Sequence, residues 1–245
     1  MPNIYNSMPA LIAHRGASAF APENTAAAII LAAELGATWC EVDVTISADG
    51  VAVIHHDADL ERCSNGQGLV IQHTLAELKK LDAGSWFDAK YQQQQVLTLT
   101  DLLTIANELQ LSLNLEIKPI FGREAETVKA MVAALEQTPF KYSLLLSSFN
   151  VHALLEAKAQ LPHLTRALNS EAIPVNWQQR LAEVDALGLH FQLEFFNKDQ
   201  VRSIRAAGFH CAIFTVNDAD TAQQLLASGV NAVFSDYPNL LSPSV

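Results

Sequence analysis

Thr38-Trp39-Cys40-Glu41-Val42-Asp43-Val44-Thr45-Ile46 has the β-branched and aromatic content of a buried strand, yet it carries two carboxylates two positions apart. Strand side chains alternate between faces, so Glu41 and Asp43 share one face while Val42 and Val44 occupy the other. Two ionised carboxylates held close together away from bulk water repel strongly. They persist only where a proton is shared, a cation is bound or water reaches them. The chain on either side must complete that pair.

On the N-terminal side, Ala10-Leu11-Ile12-Ala13 reads as a short strand running out at His14-Arg15-Gly16. Pro22-Glu23-Asn24-Thr25 then opens an Ala-rich helix to about Leu35, with Asn24 or Thr25 as its N-cap and Gly36 as its stop. On the C-terminal side, Asp49-Gly50 joins the opening strand to Val51-Ala52-Val53-Ile54 in a hairpin that ends at His55-His56-Asp57. Residues 57–97 interrupt the rhythm with Ser64-Asn65-Gly66-Gln67-Gly68, a capping box at Thr74 and Glu77, and a run of glutamines from Gln92 to Gln95, and they read as an insertion.

Beyond the insertion the chain alternates. Strands are expected near 111–118, 143–149, 164–170, 186–192, 210–216 and 231–236, with helices near 100–109, 123–137, 150–160, 174–183, 198–207 and 218–228. Short apolar strands alternating with amphipathic helices imply parallel βαβ units covered on both faces. With about eight strands in 245 residues, an α/β fold of the TIM (β/α)8 barrel type fits better than an open doubly wound sheet, as one catalytic domain over 1–245 with a small insertion after the second barrel strand.

Composition narrows the function. The longest apolar run, Ala26 to Ala33, falls well short of the roughly 18 residues that mark a membrane-spanning helix. The N-terminus lacks the basic and apolar regions of an export signal, and three cysteines without metal-ligand spacing suit a reducing cytoplasm. A net charge of −11 without any Lys/Arg cluster argues against nucleic-acid or anionic-membrane partners. An anionic substrate would have to be met by a local concentration of positive charge. No dinucleotide or P-loop fingerprint appears.

In a parallel barrel, the active site gathers where the strands run out. His14 and Arg15, Glu41 and Asp43, and His56 and Asp57 all fall at such ends, as does the stretch Asn114-Leu115-Glu116-Ile117-Lys118, whose polar members share a face. Oxygen-only ligation by Glu41, Asp43 and Glu116 suits a hard cation, Mg²⁺ or Ca²⁺. Arg15 offers a fork matched to phosphate oxygens and Lys118 a point charge beside it. His14 and His56 titrate near neutrality, so one can accept a proton from a nucleophile while the other protonates a leaving alkoxide. One of the adjacent His55 and His56 must face the helix layer. His73, His152, His163, His190 and His210 read as structural.

Taken in order, His14-Arg15-Gly16, Pro22-Glu23-Asn24-Thr25, Glu41-Val42-Asp43, His56-Asp57, Arg62 through Asn65-Gly66, Leu81-Asp82-Ala83-Gly84, Asn114-Leu115-Glu116-Ile117-Lys118 and Ser147-Ser148-Phe149 resemble the glycerophosphodiester phosphodiesterases. The resemblance is most specific over residues 12–118, while Phe214-Thr215-Val216-Asn217 and Ser235-Asp236-Tyr237-Pro238 resemble the family's late strand ends more loosely. It implies a TIM barrel with an insertion after the second strand, a divalent cation on Glu41, Asp43 and Glu116, and a general acid/base pair in His14 and His56. Phosphate binding falls to Arg15 and Lys118. His56 rather than His55 is implied, because the family's histidine directly precedes an aspartate. Phe214 stands where the family commonly has Trp.

The expected activity is metal-dependent cleavage of glycerophosphodiesters to sn-glycerol 3-phosphate and an alcohol, with a small-molecule substrate as partner. The rivals are a phospholipase of the same barrel, which would want an exposed apolar rim that the sequence does not announce, and a non-catalytic glycerophosphodiester-binding protein.

Overall fold

The computed structural model describes residues 4–241. After a turn of 3₁₀ helix at Ile4–Asn6, the elements run β1 (Leu11–His14), α1 (Ala26–Glu34), β2 (Trp39–Ile46), β3 (Ala52–Ile54), α2 (Leu75–Leu78), α3 (Leu99–Glu108), β4 (Ser112–Ile117), α4 (Glu124–Gln137), β5 (Leu144–Ser148), α5 (Val151–Gln160), β6 (Thr165–Ser170), α6 (Trp177–Val184), β7 (Gly188–Gln192), α7 (Lys198–Ala206), β8 (His210–Phe214), α8 (Ala219–Ala227) and β9 (Ala232–Ser235). The local signals act as expected. Thr25, not Asn24, caps α1 by accepting from the Ala28 N–H, and the Thr74 backbone N–H donates to Glu77 Oε2 at 2.8 Å in the anticipated capping box.

Eight of the strands are parallel and close on themselves in the order β1-β9-β8-β7-β6-β5-β4-β2, with β1 returning to β2 through Ala13↔Cys40 and His14↔Glu41. The short β3 lies outside this ring, antiparallel to β2 with Val44 opposite Ile54, as the Asp49-Gly50 turn suggested. The chain therefore folds as a TIM-type barrel wrapped by helices. Val42, Val44, Leu113, Leu115 and Ile117 face outward and pack against Ile29, Leu102, Leu103 and Met131, forming one half of the layer beneath the helices. Within 57–97, Leu60, Val70, Leu78, Ala83 and Val96 bury a small cluster of their own against Val53.

The stagger of a closed barrel raises the register by about one residue per strand. The pairings then sort the inward side chains into layers of four drawn from alternate strands. Trp39, Leu145, Gly188 and Ala232 lie lowest, followed by Ile12, Asn114, Ala167 and Ala212. Above them come Glu41, Ser147, His190 and Phe234, and then His14, Glu116, Asn169 and Phe214. The barrel is thus apolar at the base and polar towards the C-terminal mouth. Tyr5 closes the base: its ring stacks on His210 at 4.3 Å between centroids, and its hydroxyl lies 3.2 Å from His190 Nε2. Only glycine fits at 188, because a Cβ there would stand 1.9 Å from the Tyr5 hydroxyl oxygen.

One buried cation secures the helical layer. Arg166 on β6 donates to the Val184 carbonyl at 3.0 Å, the Leu164 carbonyl at 2.8 Å and Asp185 Oδ2 at 2.7 Å, so it satisfies acceptors around the C-terminus of α6. Arg166→Met keeps the apolar stem but strands those carbonyls. It is expected to lower unfolding free energy by about 2–4 kcal/mol in urea titrations while leaving kcat unaltered.

Candidate active site

The carboxylates meet because β2 and β4 are neighbours in register. Asp43 pairs with Glu116 and Glu41 with Asn114, so the acids project side by side into the mouth. Glu41, Asp43 and Glu116 each offer an oxygen within 4.8 Å of the others'. Compensation is uneven. Asp43 receives the Asn24 amide at 2.9 Å and lies 3.3 Å from Arg15 Nε and 3.8 Å from Lys118 Nζ. Glu116 has Lys118 at 3.2 Å. Among the described residues, Glu41 accepts only the Arg15 backbone N–H at 3.2 Å, and its buried Oε1 has no hydrogen-bond partner.

The electrostatics follow. Burial first, then the charges on Asp43 and Glu116, pushes the Glu41 carboxyl well above its ordinary range. Burial and Asp43 push Glu116 up to about 7 against the opposing pull of Lys118. Three converging acids, with Glu41 and Glu116 both raised and one Glu41 oxygen orphaned, make a site short of positive charge. Their all-oxygen donor set fits a hard divalent cation.

Turn geometry places the basic groups. Arg15 and Asn24 adopt left-handed backbone conformations (φ 53° and 59°), which turns the Arg15 N–H onto Glu41 and the Asn24 side chain onto Asp43. Gly16 permits the tight return beneath them, since a Cβ there would meet the Ala28 backbone at 2.7 Å.

Each predicted histidine is held by a carboxylate. His14 Nδ1 lies 2.7 Å from Asp236 Oδ1, which aims Nε2 towards Glu41, 3.9 Å away. Asp236 accepts from Asn217 Nδ2 at 2.6 Å, and although burial raises it, the bond to His14 helps hold it at about 2. His56 Nδ1 lies 2.5 Å from Asp57 Oδ1, whereas His55 turns away to the Asp59 carbonyl at 2.8 Å. Burial pushes the His56 ring below its ordinary value, with Arg15 and Lys118 adding to it against Asp43 and Asp57. The ring is therefore neutral near pH 7.

Arg62 ties these parts together. It donates to Asp57 Oδ2 at 2.5 Å and to Glu23 at 2.7 and 2.9 Å, and Glu23 accepts from Arg15 Nη1 at 2.8 Å. A continuous chain of ionic hydrogen bonds therefore runs from His56 through the insertion to Arg15. Arg62→Gln frees Asp57 to act on His56 alone. The expected result is a rise in the His56 pKa, read by proton NMR titration, and a fall in kcat/KM of about tenfold.

A cleft of about 300 Å³ collects His14, Arg15, Glu41, His56, Glu116 and Lys118, and the buried Asp43 adjoins it through Glu41 and Glu116. Sequence reasoning singled out all seven but gave no role to Glu23, Arg62, Asn217 or Asp236, which orient them. It also read His190 as purely structural, although His190 lines the cleft. The available signal was parity: 147, 169, 190 and 214 all fall on the inward face near strand ends. The mouth also carries the apolar rim that the sequence did not announce, because Phe20, Phe121, Phe149, Phe195 and Tyr237 stand exposed on separate loops after barrel strands.

Residues 14–240 match the model of the glycerophosphoryl diester phosphodiesterase family. A glycerophosphodiester phosphodiesterase of Caldanaerobacter subterraneus subsp. tengcongensis is 32% identical over 233 residues, covering 94% of this chain and 95% of that protein. One from Bacillus subtilis is 31% identical over 252 residues, covering 94% and 84%. The solved structure of an Oleispira antarctica phosphodiesterase in complex with the product sn-glycerol-3-phosphate is 47% identical and superposes with a TM-score of 0.94, covering 96% of each chain. With that match along nearly its whole length, and a barrel whose mouth presents the paired acids and histidines, this chain belongs to the glycerophosphoryl diester phosphodiesterase family.

Proposed function

We infer that the protein hydrolyses glycerophosphodiesters to sn-glycerol 3-phosphate and an alcohol. The observation that carries the mechanism is the convergence, on one cleft, of three carboxylates, two carboxylate-oriented imidazoles, and the cations Arg15 and Lys118. Glu41, Asp43 and Glu116 would hold a divalent cation, with Mg²⁺ and Ca²⁺ both suited to the donor set. When bound, such a cation supplies Lewis-acid stabilisation of charge on the phosphoryl oxygens. Arg15 and Lys118 bind those oxygens directly and set the phosphorus against the histidines. One imidazole takes a proton from the nucleophile as its oxygen bonds to phosphorus, while the other returns a proton to the leaving alkoxide as the bond from phosphorus to the alcohol oxygen breaks; one water is consumed overall, either as that nucleophile or in opening the cyclic phosphate that the glycerol 2-hydroxyl would form. Asp236 and Asp57, each on the Nδ1 side, keep both Nε2 atoms available for this exchange.

Incubation with glycerophosphocholine and enzymatic detection of glycerol 3-phosphate test the reading. Release of glycerol 3-phosphate is expected, and release of phosphocholine instead would show that the wrong ester bond had been assigned. The aromatic rim favours one second reading, action on lipids that retain an acyl chain, since such a chain would leave the cleft across it. Faster choline release from lysophosphatidylcholine than from glycerophosphocholine would favour that reading.

A further inference from the structure

The mouth gathers nearly all the exposed apolar bulk of the molecule. Ten large hydrophobic side chains stand exposed among the described residues, and all but Ile30 on α1 and Leu187 before β7 lie on loops that follow barrel strands or on the insertion. The aromatic rim is therefore joined by Leu69 and Trp86 from the insertion and by Val175 beyond β6. One flank is continuous: Phe20 meets Tyr237 edge-on at 5.4 Å between centroids, and the Tyr91 hydroxyl of the insertion donates to the Phe20 carbonyl at 2.8 Å. On the other flank the knobs are isolated. Phe121, in Pro119-Ile120-Phe121-Gly122, and Val175, after Ile173-Pro174, are 96% and 102% exposed, so neither packs on the rest of the protein.

Apolar side chains concentrated at one end of a fold mark an interaction surface. A protein partner would need a contiguous patch and a matching socket for each projection, whereas these side chains stand on separate loops with polar residues between them. A fluid lipid interface accepts separate knobs without preformed sockets, and Phe, Trp and Tyr are side chains that settle at its boundary. Charge selects the lipid. A net charge of −11 is repelled by an anionic surface, while zwitterionic choline lipids present quaternary ammonium groups that exposed rings attract through their π faces. Among the described residues no helix is long and apolar enough to cross a membrane, so such an association is peripheral.

We propose that the mouth of the barrel docks onto a zwitterionic phospholipid surface, with Phe121 and Val175 as the inserting knobs and the ledge of Phe20 and Tyr237 as the opposite edge. The inference concerns where the protein works and not which bond it breaks, so it does not depend on the hydrolase reading. Apolar side chains that enter the interface from both flanks turn the cleft towards the lipid headgroups.

Co-sedimentation with phosphatidylcholine vesicles tests the proposal. The wild-type protein is expected to bind at millimolar lipid, and to bind less as phosphatidylglycerol replaces phosphatidylcholine. The double variant Phe121→Ser/Val175→Ser should partition at least about tenfold more weakly, because it loses the apolar area that both knobs would bury. Both side chains are fully exposed, so its unfolding temperature should match that of the wild type. Should that variant fail to fold, phosphatidylcholine brominated on its acyl chains decides, since it is expected to quench the emission of the exposed Trp86 in the wild-type protein. A wild-type protein that ignores phosphatidylcholine, tighter binding to phosphatidylglycerol vesicles, an undiminished double variant or unquenched emission would overturn the proposal. So would a dimer in sedimentation velocity that the double variant abolishes, because a second copy would then cover the rim. None of these readouts needs turnover, so a failure to cleave glycerophosphocholine would count against the hydrolase reading alone.

Discussion

His14→Ala and His56→Ala are each expected to lower kcat for glycerophosphocholine by about 10²- to 10⁴-fold with KM little changed, the range that proton transfer by a positioned side chain commonly contributes. Both rings are oriented through Nδ1 by carboxylates that are themselves anchored, Asp236 by Asn217 and Asp57 by Arg62, so neither is free to serve as a surface residue would. If the two act in one concerted exchange, the double variant falls less than the product of the single losses, because removing either ring already breaks the relay. Near-normal turnover in either single variant would remove that residue from the mechanism. The orienting acids should matter less: Asp57→Asn and Asp236→Asn leave an imidazole in place and are expected to cost about 10- to 100-fold.

The second large effect concerns the three carboxylates. Thorough chelation is expected to lower activity more than a thousandfold, restored by Mg²⁺ or Ca²⁺, and Glu41→Gln or Glu116→Gln should not be restored by either ion at ordinary concentrations. The same cluster predicts an effect on stability that does not depend on turnover. In metal-free protein Glu116 titrates at about 7 in the folded state against an ordinary value of 4.5, and Glu41 is raised as well. A raised carboxyl means that the folded protein keeps a proton which the unfolded chain has released. Stability is therefore full below about pH 4.5 and is lost as pH rises towards and through 7, by on the order of 3 kcal/mol for Glu116. A bound cation favours the ionised acids and should abolish that slope. Denaturant unfolding at pH 5 and pH 8, with EDTA and then with Mg²⁺, measures it, and Glu116→Gln should flatten the metal-free curve. A metal-free protein equally stable at both pH values would mean that the acids are not coupled as their spacing implies.

Much of this site was legible in the chain itself. The alternation of Glu41-Val42-Asp43-Val44 put both acids on one face, and the same parity in Asn114-Leu115-Glu116-Ile117-Lys118 marked a polar inner face, because a strand's period of two is a local property that needs no partner. The strand-helix rhythm implied parallel units, and the known position of barrel active sites converted strand ends into candidates. The Asp49-Gly50 hairpin was equally readable, since turn chemistry is also local. The resemblance carried by the motifs from His14 to Lys118 supplied roles that residue type alone left open.

Residue order alone therefore sets which side chains face inward and how far along each strand they lie. Which of them meet depends on closure of the barrel. Asp236 reaches His14 across a separation of 222 residues because β9 closes against β1, and Arg62 joins Asp57 to Glu23 because the insertion folds back over the mouth. Neither contact has a periodic signature, since loop paths and barrel closure depend on packing of the whole chain. Burial was decided at the same level. Glu41 is only an acidic strand residue until the barrel removes water from its Oε1, and Asn169 is only polar until closure leaves its carboxamide oxygen facing a cleft with nothing to bond. Desolvation is a property of the assembled interior, and it turns these side chains from a pattern into a site.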